Sequence, residues 1–178
     1  VLMATERLIL RRFRASDAPV LAAYRSEEDV ARYQSWDAPF PLDRAETAVR
    51  RFAAGSPSEP GWFQYAIELT AEATLIGDVA VRLHDNLRQA EIGFTLATAY
   101  QRRGYATEAV SAVLDRLFRV QGLHRVMGEC DVRNTRSAAL LERLGFTREG
   151  LLRQQTFIKG EWTDDLLYGL LAAEWPGA

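Results

Sequence analysis

A chain of 178 residues with 48% apolar and 26% charged side chains can build one domain with a full hydrophobic core, and residues 1–178 are expected to form that single domain. A formal net charge of -2 gives no bulk attraction to phosphate backbones, so no nucleic-acid partner is expected. The single cysteine, Cys130, and the widely spaced His84 and His124 exclude an intramolecular disulfide and argue against a metal site, so no metal is expected.

The opening run Thr5 to Arg14 reads as a strand. Charges at Glu6, Arg7, Arg11 and Arg12 interrupt any leader-like apolar stretch there, and no run in the chain approaches the ~18 to 20 apolar residues that cross a bilayer. No membrane association and a cytoplasmic location are therefore expected. Ser16 and Asp17 offer N-caps to a short helix over Ala18 to Arg25, and a second helix is expected over Asp43 to Ala54. Between them, Gln34 to Pro41 holds Trp36, Phe40 and two prolines and predicts an ordered loop. A further loop, Gly55 to Gly61, precedes the sheet.

From Trp62 the period becomes two. Tyr65, Ile67 and Leu69 alternate with polar or small residues, and after a turn at Thr70 to Thr74 so do Leu75, Gly77, Val79, Val81 and Leu83. Ala90 to Leu96 continues the meander after an Asp85-Asn86 turn, with Ala90, Ile92, Phe94 and Leu96 on one face and Glu91, Gly93 and Thr95 on the other. Ala109, Val110, Val113, Leu114, Leu117 and Phe118 then fall at helical spacing, closed by Gly122. Arg125 to Val132 returns to strand alternation, with Cys130 as a small core residue. Thr135 to Leu144 is helical, capped by Asn134 and followed by Gly145. Two last strands, Thr147 to Ile158 and Trp162 to Leu171, meet at a Lys159-Gly160 turn. The fold class is α/β: a mixed, mostly antiparallel sheet of six to seven strands flanked by about four helices.

The chemistry points to the segment Gln101-Arg102-Arg103-Gly104-Tyr105-Ala106-Thr107. Amides that open a helix have no intrahelical acceptor and carry the positive end of its dipole, so a phosphate fits there. Gly104 lets backbone approach an anion closely, and Ala106 allows tight packing. Neither G-x-x-x-x-G-K-[ST] nor G-x-G-x-x-G occurs, which argues against nucleoside triphosphate and dinucleotide loops.

The Gln101 to Ala106 run resembles the Q/R-x-x-G-x-G/A pyrophosphate motif of the Gcn5-related N-acetyltransferase (GNAT) superfamily. Downstream, Asn134 to Phe146 resembles that superfamily's helix with its Leu-Gly-Phe ending. Thr5 to Arg11, Glu91-Ile92-Gly93-Phe94 and Gly160 to Asp164 with Tyr168 are further similar to the RimJ/RimL branch, which acetylates ribosomal-protein N-termini. The resemblance spans essentially the whole chain and implies acetyl-CoA as co-substrate, with two central parallel strands splayed to receive it.

It also implies roles. Phe94, Thr95 and Leu96 would pair with the pantetheine arm, a strand amide near Leu96 would meet the oxyanion, and Asn134 would cap its helix or bond that arm. Ser137, from the Asn-x-x-Ser pattern, would donate to the leaving thiolate. Where many members carry a tyrosine this chain has Leu141, and Thr156 stands where the branch places a glutamate base. Glu91, Glu129 and Asp164 are the replacement candidates.

Trp36, Phe40 and Trp162 are expected to wall the acceptor groove, with Asp37, Glu161 and Asp164 attracting a cationic amine. The acceptor is read as a protein N-terminal amine or a small amine such as a polyamine, amino acid or aminoglycoside. A non-catalytic coenzyme sensor and a ligand-free structural domain stay open as alternatives. Pairing of an exposed sheet edge with a second copy makes a homodimer one expected assembly.

Overall fold

The computed structural model describes residues 1–176. Eight strands form one sheet: β1 Met3–Ala4, β2 Leu8–Arg11, β3 Gly61–Leu69, β4 Thr74–Leu83, β5 Gln89–Leu96, β6 Arg125–Asp131, β7 Thr147–Ile158 and β8 Glu161–Leu171. Their order is β1-β2-β3-β4-β5-β6-β8-β7, antiparallel throughout except for the central parallel pair β5 and β6. Five helices accompany them: α1 Ala18–Arg25, α2 Glu28–Ala31, α3 Leu42–Ala54, α4 Tyr105–Asp115 and α5 Thr135–Arg143. None of the described helices is long and apolar enough to cross a membrane.

The alternation in sequence becomes two separate cores. Phe63, Tyr65 and Ile67 of β3 and Ala90 and Ile92 of β5 pack beneath Val110, Val113 and Leu114 of α4 and Leu140 and Leu141 of α5. On the other face Ala66 meets Leu21 and Tyr24 of α1 and Ala48, Val49 and Phe52 of α3. A sheet covered on both sides in this way keeps a strict register, because a slip of one residue would exchange the two faces.

Several local expectations change. The sheet has eight strands rather than six or seven, because Met3–Ala4 adds to the edge opposite Leu10 and Ile9. The first predicted strand shrinks to four residues, since Thr5 N donates to the Leu8 carbonyl and turns the chain. One extra helical turn, α2, fills the segment before the aromatic loop. Asp17 does not cap α1 with its side chain. Its carboxylate accepts from Arg11 at 2.8 and 2.9 Å and from Arg14 N at 2.6 Å. Arg11 also donates to Glu68 at 2.5 Å, which balances this buried guanidinium. The Lys159-Gly160 turn carries φ of 50° and 80°, the left-handed pair that a two-residue hairpin requires.

β4 and β5 approach closely at Gly77, which sits opposite Leu96. A Cβ there would lie 2.2 Å from the Thr95 carbonyl oxygen and 2.9 Å from Leu96 Cα, both of them backbone atoms. Gly77→Ala is therefore expected to destabilise the protein by about 3 kcal/mol, the upper part of the overpacking range. At ~2 to 4 °C per kcal/mol for a chain of this size, thermal unfolding should fall by roughly 6 to 12 °C. An unchanged midpoint would contradict this close approach.

Candidate active site

The site begins where two strands part. β5 and β6 are paired only from Gln89 to Ile92 against Arg125 to Gly128, although β5 runs on to Leu96 and β6 to Asp131. Past that point the edges face a gap. Gly128 closes the paired section against α5, since a Cβ would sit 3.1 Å from Leu141 Cδ2. Gly93 lies in regular register with Ala80, so it is not a bulge, and a Cβ on it would meet nothing within 4 Å.

The ladder determines which backbone groups face this gap. Ala97 N donates to the Ile76 carbonyl across the β4–β5 pair. Antiparallel alternation then turns the polar groups of Thr95 and Gly93 toward β4, and those of Phe94 and Leu96 toward the split. The Leu96 carbonyl is already taken by Gln101 Nε2 at 2.9 Å, leaving its N–H. Gln101 Oε1 in turn accepts from Arg136 Nη1 at 2.8 Å. Gln101 thus ties β5 to α5.

Two clefts meet at the split. One, of about 420 Å³, runs from the start of α4 to the face of α5 and is lined by Phe94, Thr95, Leu96, Gln101, Arg102, Gly104, Ala106, Thr107, Asn134 and Ser137 among others. The other, of about 540 Å³, lies over the α1 and α3 side and is lined by Trp36, Phe52, Asp78, Gly93, Glu129 and Cys130 among others. Tyr33, Gln34, Phe94, Thr95, Asn134 and Ser137 border both.

At the mouth of the first cleft Arg102 and Gly104 both take left-handed backbone, with φ of 62° and 82°. Gly104 is the N-cap of α4, so the amides of the first turn open outward. Arg136 and Arg143 line the same cleft. They are seven residues apart, two turns of α5, and so share one face of that helix. Their spacing was readable in the sequence, but a solvated helix face reads the same way. Arg103 and Tyr105 do not line the cleft. The Arg103 guanidinium lies 6.0 Å over the Tyr100 ring, and Tyr105 sits under Arg7 at 4.5 Å.

Asn134 Oδ1 accepts from Ser137 N at 3.3 Å, so it caps α5 and holds Ser137 in the first turn at the junction of the clefts. Of the three carboxylates, only Glu129 lines a cleft. Burial raises its carboxyl, and Asp165 and Glu91 nearby raise it further, to about 7. Glu91 shares this face of the sheet but is 4.0 Å from Arg82 Nε. Asp164 Oδ1 accepts from Gln154 N at 2.8 Å within the last hairpin. Cys130 is half-buried, not a core residue, and burial followed by the surrounding carboxylates pushes its thiol up to about 11. At neutral pH it stays protonated and is a poor nucleophile. Thr156, in the position of the expected base, donates instead to Asp165.

The aromatic wall is only partly as expected. Trp36 lines the second cleft and its Nε1 donates to the Arg25 carbonyl at 2.9 Å. Phe40 is 5% exposed in the second core, where a Pro-rich loop folds back onto α1 and α3. Trp162 is 59% exposed at the hairpin and packs on Phe157 at 5.3 Å. Asp37 is exposed and Glu161 pairs with Arg133 at 3.0 Å, so neither faces the cleft. Arg25, Gln64 and Asp78 do, and nothing in the sequence singled them out.

Comparison with known proteins gives a consistent answer. A protein-family model described as Acetyltransferase (GNAT) domain matches residues 7–147. The chain is 31% identical over 171 residues to the uncharacterized N-acetyltransferase YoaA of Bacillus subtilis (strain 168), covering 96% of each. It is 36% identical over 87 residues to the ribosomal protein uS5 alanine N-acetyltransferase of Escherichia coli (strain K12), covering 48% of this chain and 45% of that protein. Among solved structures it resembles a GNAT-family acetyltransferase from Bacillus anthracis with a TM-score of 0.88 at 27% identity, covering 97% of this chain and 99% of that one.

Proposed function

The chain belongs to the GNAT acetyltransferase family and is an acetyl-CoA dependent N-acetyltransferase; on that footing we propose that it acetylates a primary amine by direct attack in a ternary complex, with the thioester and the amine entering by the two clefts. The observation that carries this reading is the shared border. Tyr33, Gln34, Phe94, Thr95, Asn134 and Ser137 are the residues that a thioester arriving along one cleft and an amine arriving along the other would both meet.

The residues fit the coenzyme. The first-turn amides of α4 and the guanidinium groups of Arg102, Arg136 and Arg143 suit its phosphates, and the free edge at Phe94 and Leu96 suits an extended pantetheine. When bound, acetyl-CoA supplies an acetyl group activated as a thioester. Glu129 takes the proton of the attacking amine, and the Leu96 N–H faces the place where negative charge gathers on the acetyl oxygen. Ser137, fixed by the Asn134 cap, donates a hydrogen bond to the departing sulfur. The protonated Cys130 supports direct transfer over an acyl-cysteine route.

Thiol release from acetyl-CoA in the presence of N-terminal peptides, amino acids, spermidine and aminoglycosides tests this reading. Acceptor-dependent release is expected. Ser137→Ala should lower kcat by roughly a hundredfold, the lower end of the usual range for a positioned proton donor, with little change in the KM for acetyl-CoA. A folded, coenzyme-binding protein that turns over none of these amines would instead be a binding module.

A further inference from the structure

The second cleft holds a cation that acetyl transfer does not require. Arg25, the last residue of α1, is only 8% exposed and yet lines that cleft. Its guanidinium carbon sits 4.2 Å from the centre of the Trp36 ring, 5.2 Å from Phe40 and 5.6 Å from Phe52. Three aromatic faces orient the group by cation–π attraction but satisfy none of its in-plane donors. Its Nε has no hydrogen-bond partner.

No carboxylate nearby completes the fork. Asp17 and Glu68 are held by Arg11. Asp78, 2% exposed, accepts from the Tyr24 hydroxyl and shares the cleft with Arg25, whose charge favours its ionised form, but among the described residues no acid stands within ion-pair or hydrogen-bond distance of the Arg25 guanidinium. Of the other acids on this cleft, Asp131 is bonded to Arg133, and Glu129 stands at the strand split. Arg51 adds a second cation to the lining. A buried guanidinium with donors to spare is unfavourable until an anion completes it, and the planar fork of arginine matches a carboxylate.

We infer that the acceptor is an aminocarboxylate, a small molecule or chain end whose amine points toward Glu129 while its carboxylate is received by Arg25 in the Trp36, Phe40 and Phe52 box. This rests on the acetyl-transfer reading. The carboxylate has two sources, the α-carboxylate of a free amino acid or an acidic side chain beside a peptide N-terminus. A polyamine, cationic throughout, is disfavoured.

The test uses matched pairs in the thiol-release assay: L-phenylalanine and L-methionine against their amides, hexapeptides beginning Ala-Asp against Ala-Asn, and spermidine. In one arm the carboxylate member should have a kcat/KM at least ~tenfold higher, expressed mainly in KM. Which arm responds identifies the source. Arg25→Gln should bring that ratio close to one, and Arg25→Lys, which keeps the charge if the glutamine variant does not fold, should retain part of it. In parallel, N-acetyl-L-phenylalanine and its amide, and the N-acetylated hexapeptides, are titrated calorimetrically into the CoA-loaded protein, where binding needs no turnover. Amines acetylated without carboxylate preference, or spermidine preferred, would overturn the inference and leave acetyl transfer standing. Arg25-dependent binding of the acids without any turnover would uphold the carboxylate site at Arg25 and defeat acetyl transfer, and with it the assignment of the ligand as an acceptor. Absence of both would defeat the two together.

Discussion

Replacing Glu129 by glutamine is expected to lower kcat by ~10²- to 10⁴-fold, the usual contribution of a positioned general base. Glu129 lies on β6 just past the last paired residue, so its side chain borders the open part of the split. The carboxyl must be ionised to accept a proton, and burial with Asp165 and Glu91 beside it holds it up to about 7. Wild-type kcat/KM should therefore climb as pH rises through about 7 and then level, while the variant loses that limb. The same shift fixes a stability signature of the opposite sense. Between the ordinary value of 4.5 and about 7 the folded protein keeps a proton that the unfolded chain has released, so stability falls as pH rises across that window. At pH 8 the glutamine variant should be the more stable protein and the poorer enzyme. A rate profile recorded from pH 5 to 9 beside thermal unfolding at both ends decides the matter. An unchanged acidic limb would transfer the role to Glu91 or Asp164.

That Glu129 and not Glu91 borders the gap illustrates what strand periodicity can and cannot convey. Alternation set Glu91 on the face of β5 opposite Ala90 and Ile92, because a sheet covered on both sides imposes its period on the sequence. It did not reveal where β5 and β6 stop pairing, which is at Ile92 and Gly128, beneath Leu141 of α5. The backbone of the Gln101 to Thr107 loop was legible for a different reason. A glycine at a helix start and a basic, small-residue turn form a local signal, and Gly104 does carry the left-handed backbone that the signal anticipates. Arg25 gave no such signal, since an arginine in the last turn of a helix is ordinarily a solvated partner of the dipole. Only the return of the Trp36 and Phe40 loop onto α1 buries it. Phe40 and Trp162 mark the reverse limit: an aromatic residue in a loop reads the same from sequence whether it ends in the core or at a hairpin tip.

Gly104→Val should weaken coenzyme binding by about 10²-fold, equivalent to losing one or two charge-assisted hydrogen bonds. At φ 82° and ψ 0° a branched residue is strained wherever space exists, and here the Cβ would also press to 3.3 Å from the Arg7 guanidinium. That guanidinium cannot easily withdraw. It donates to the Arg103 carbonyl at 3.0 Å and pairs with Glu108 in the first turn of α4 at 2.7 Å. Relief of the strain would therefore shift the turn that presents the amides, and the valine methyl groups would stand where a phosphate must approach. Acetyl-pantetheine, which lacks the diphosphate, separates this effect from general damage. Turnover with acetyl-CoA should drop toward the acetyl-pantetheine level in the variant, while turnover with acetyl-pantetheine changes little. Equal losses with both donors would mean that the variant disturbs the strand split itself. An unaltered acetyl-CoA affinity in folded protein would place the phosphates away from the start of α4.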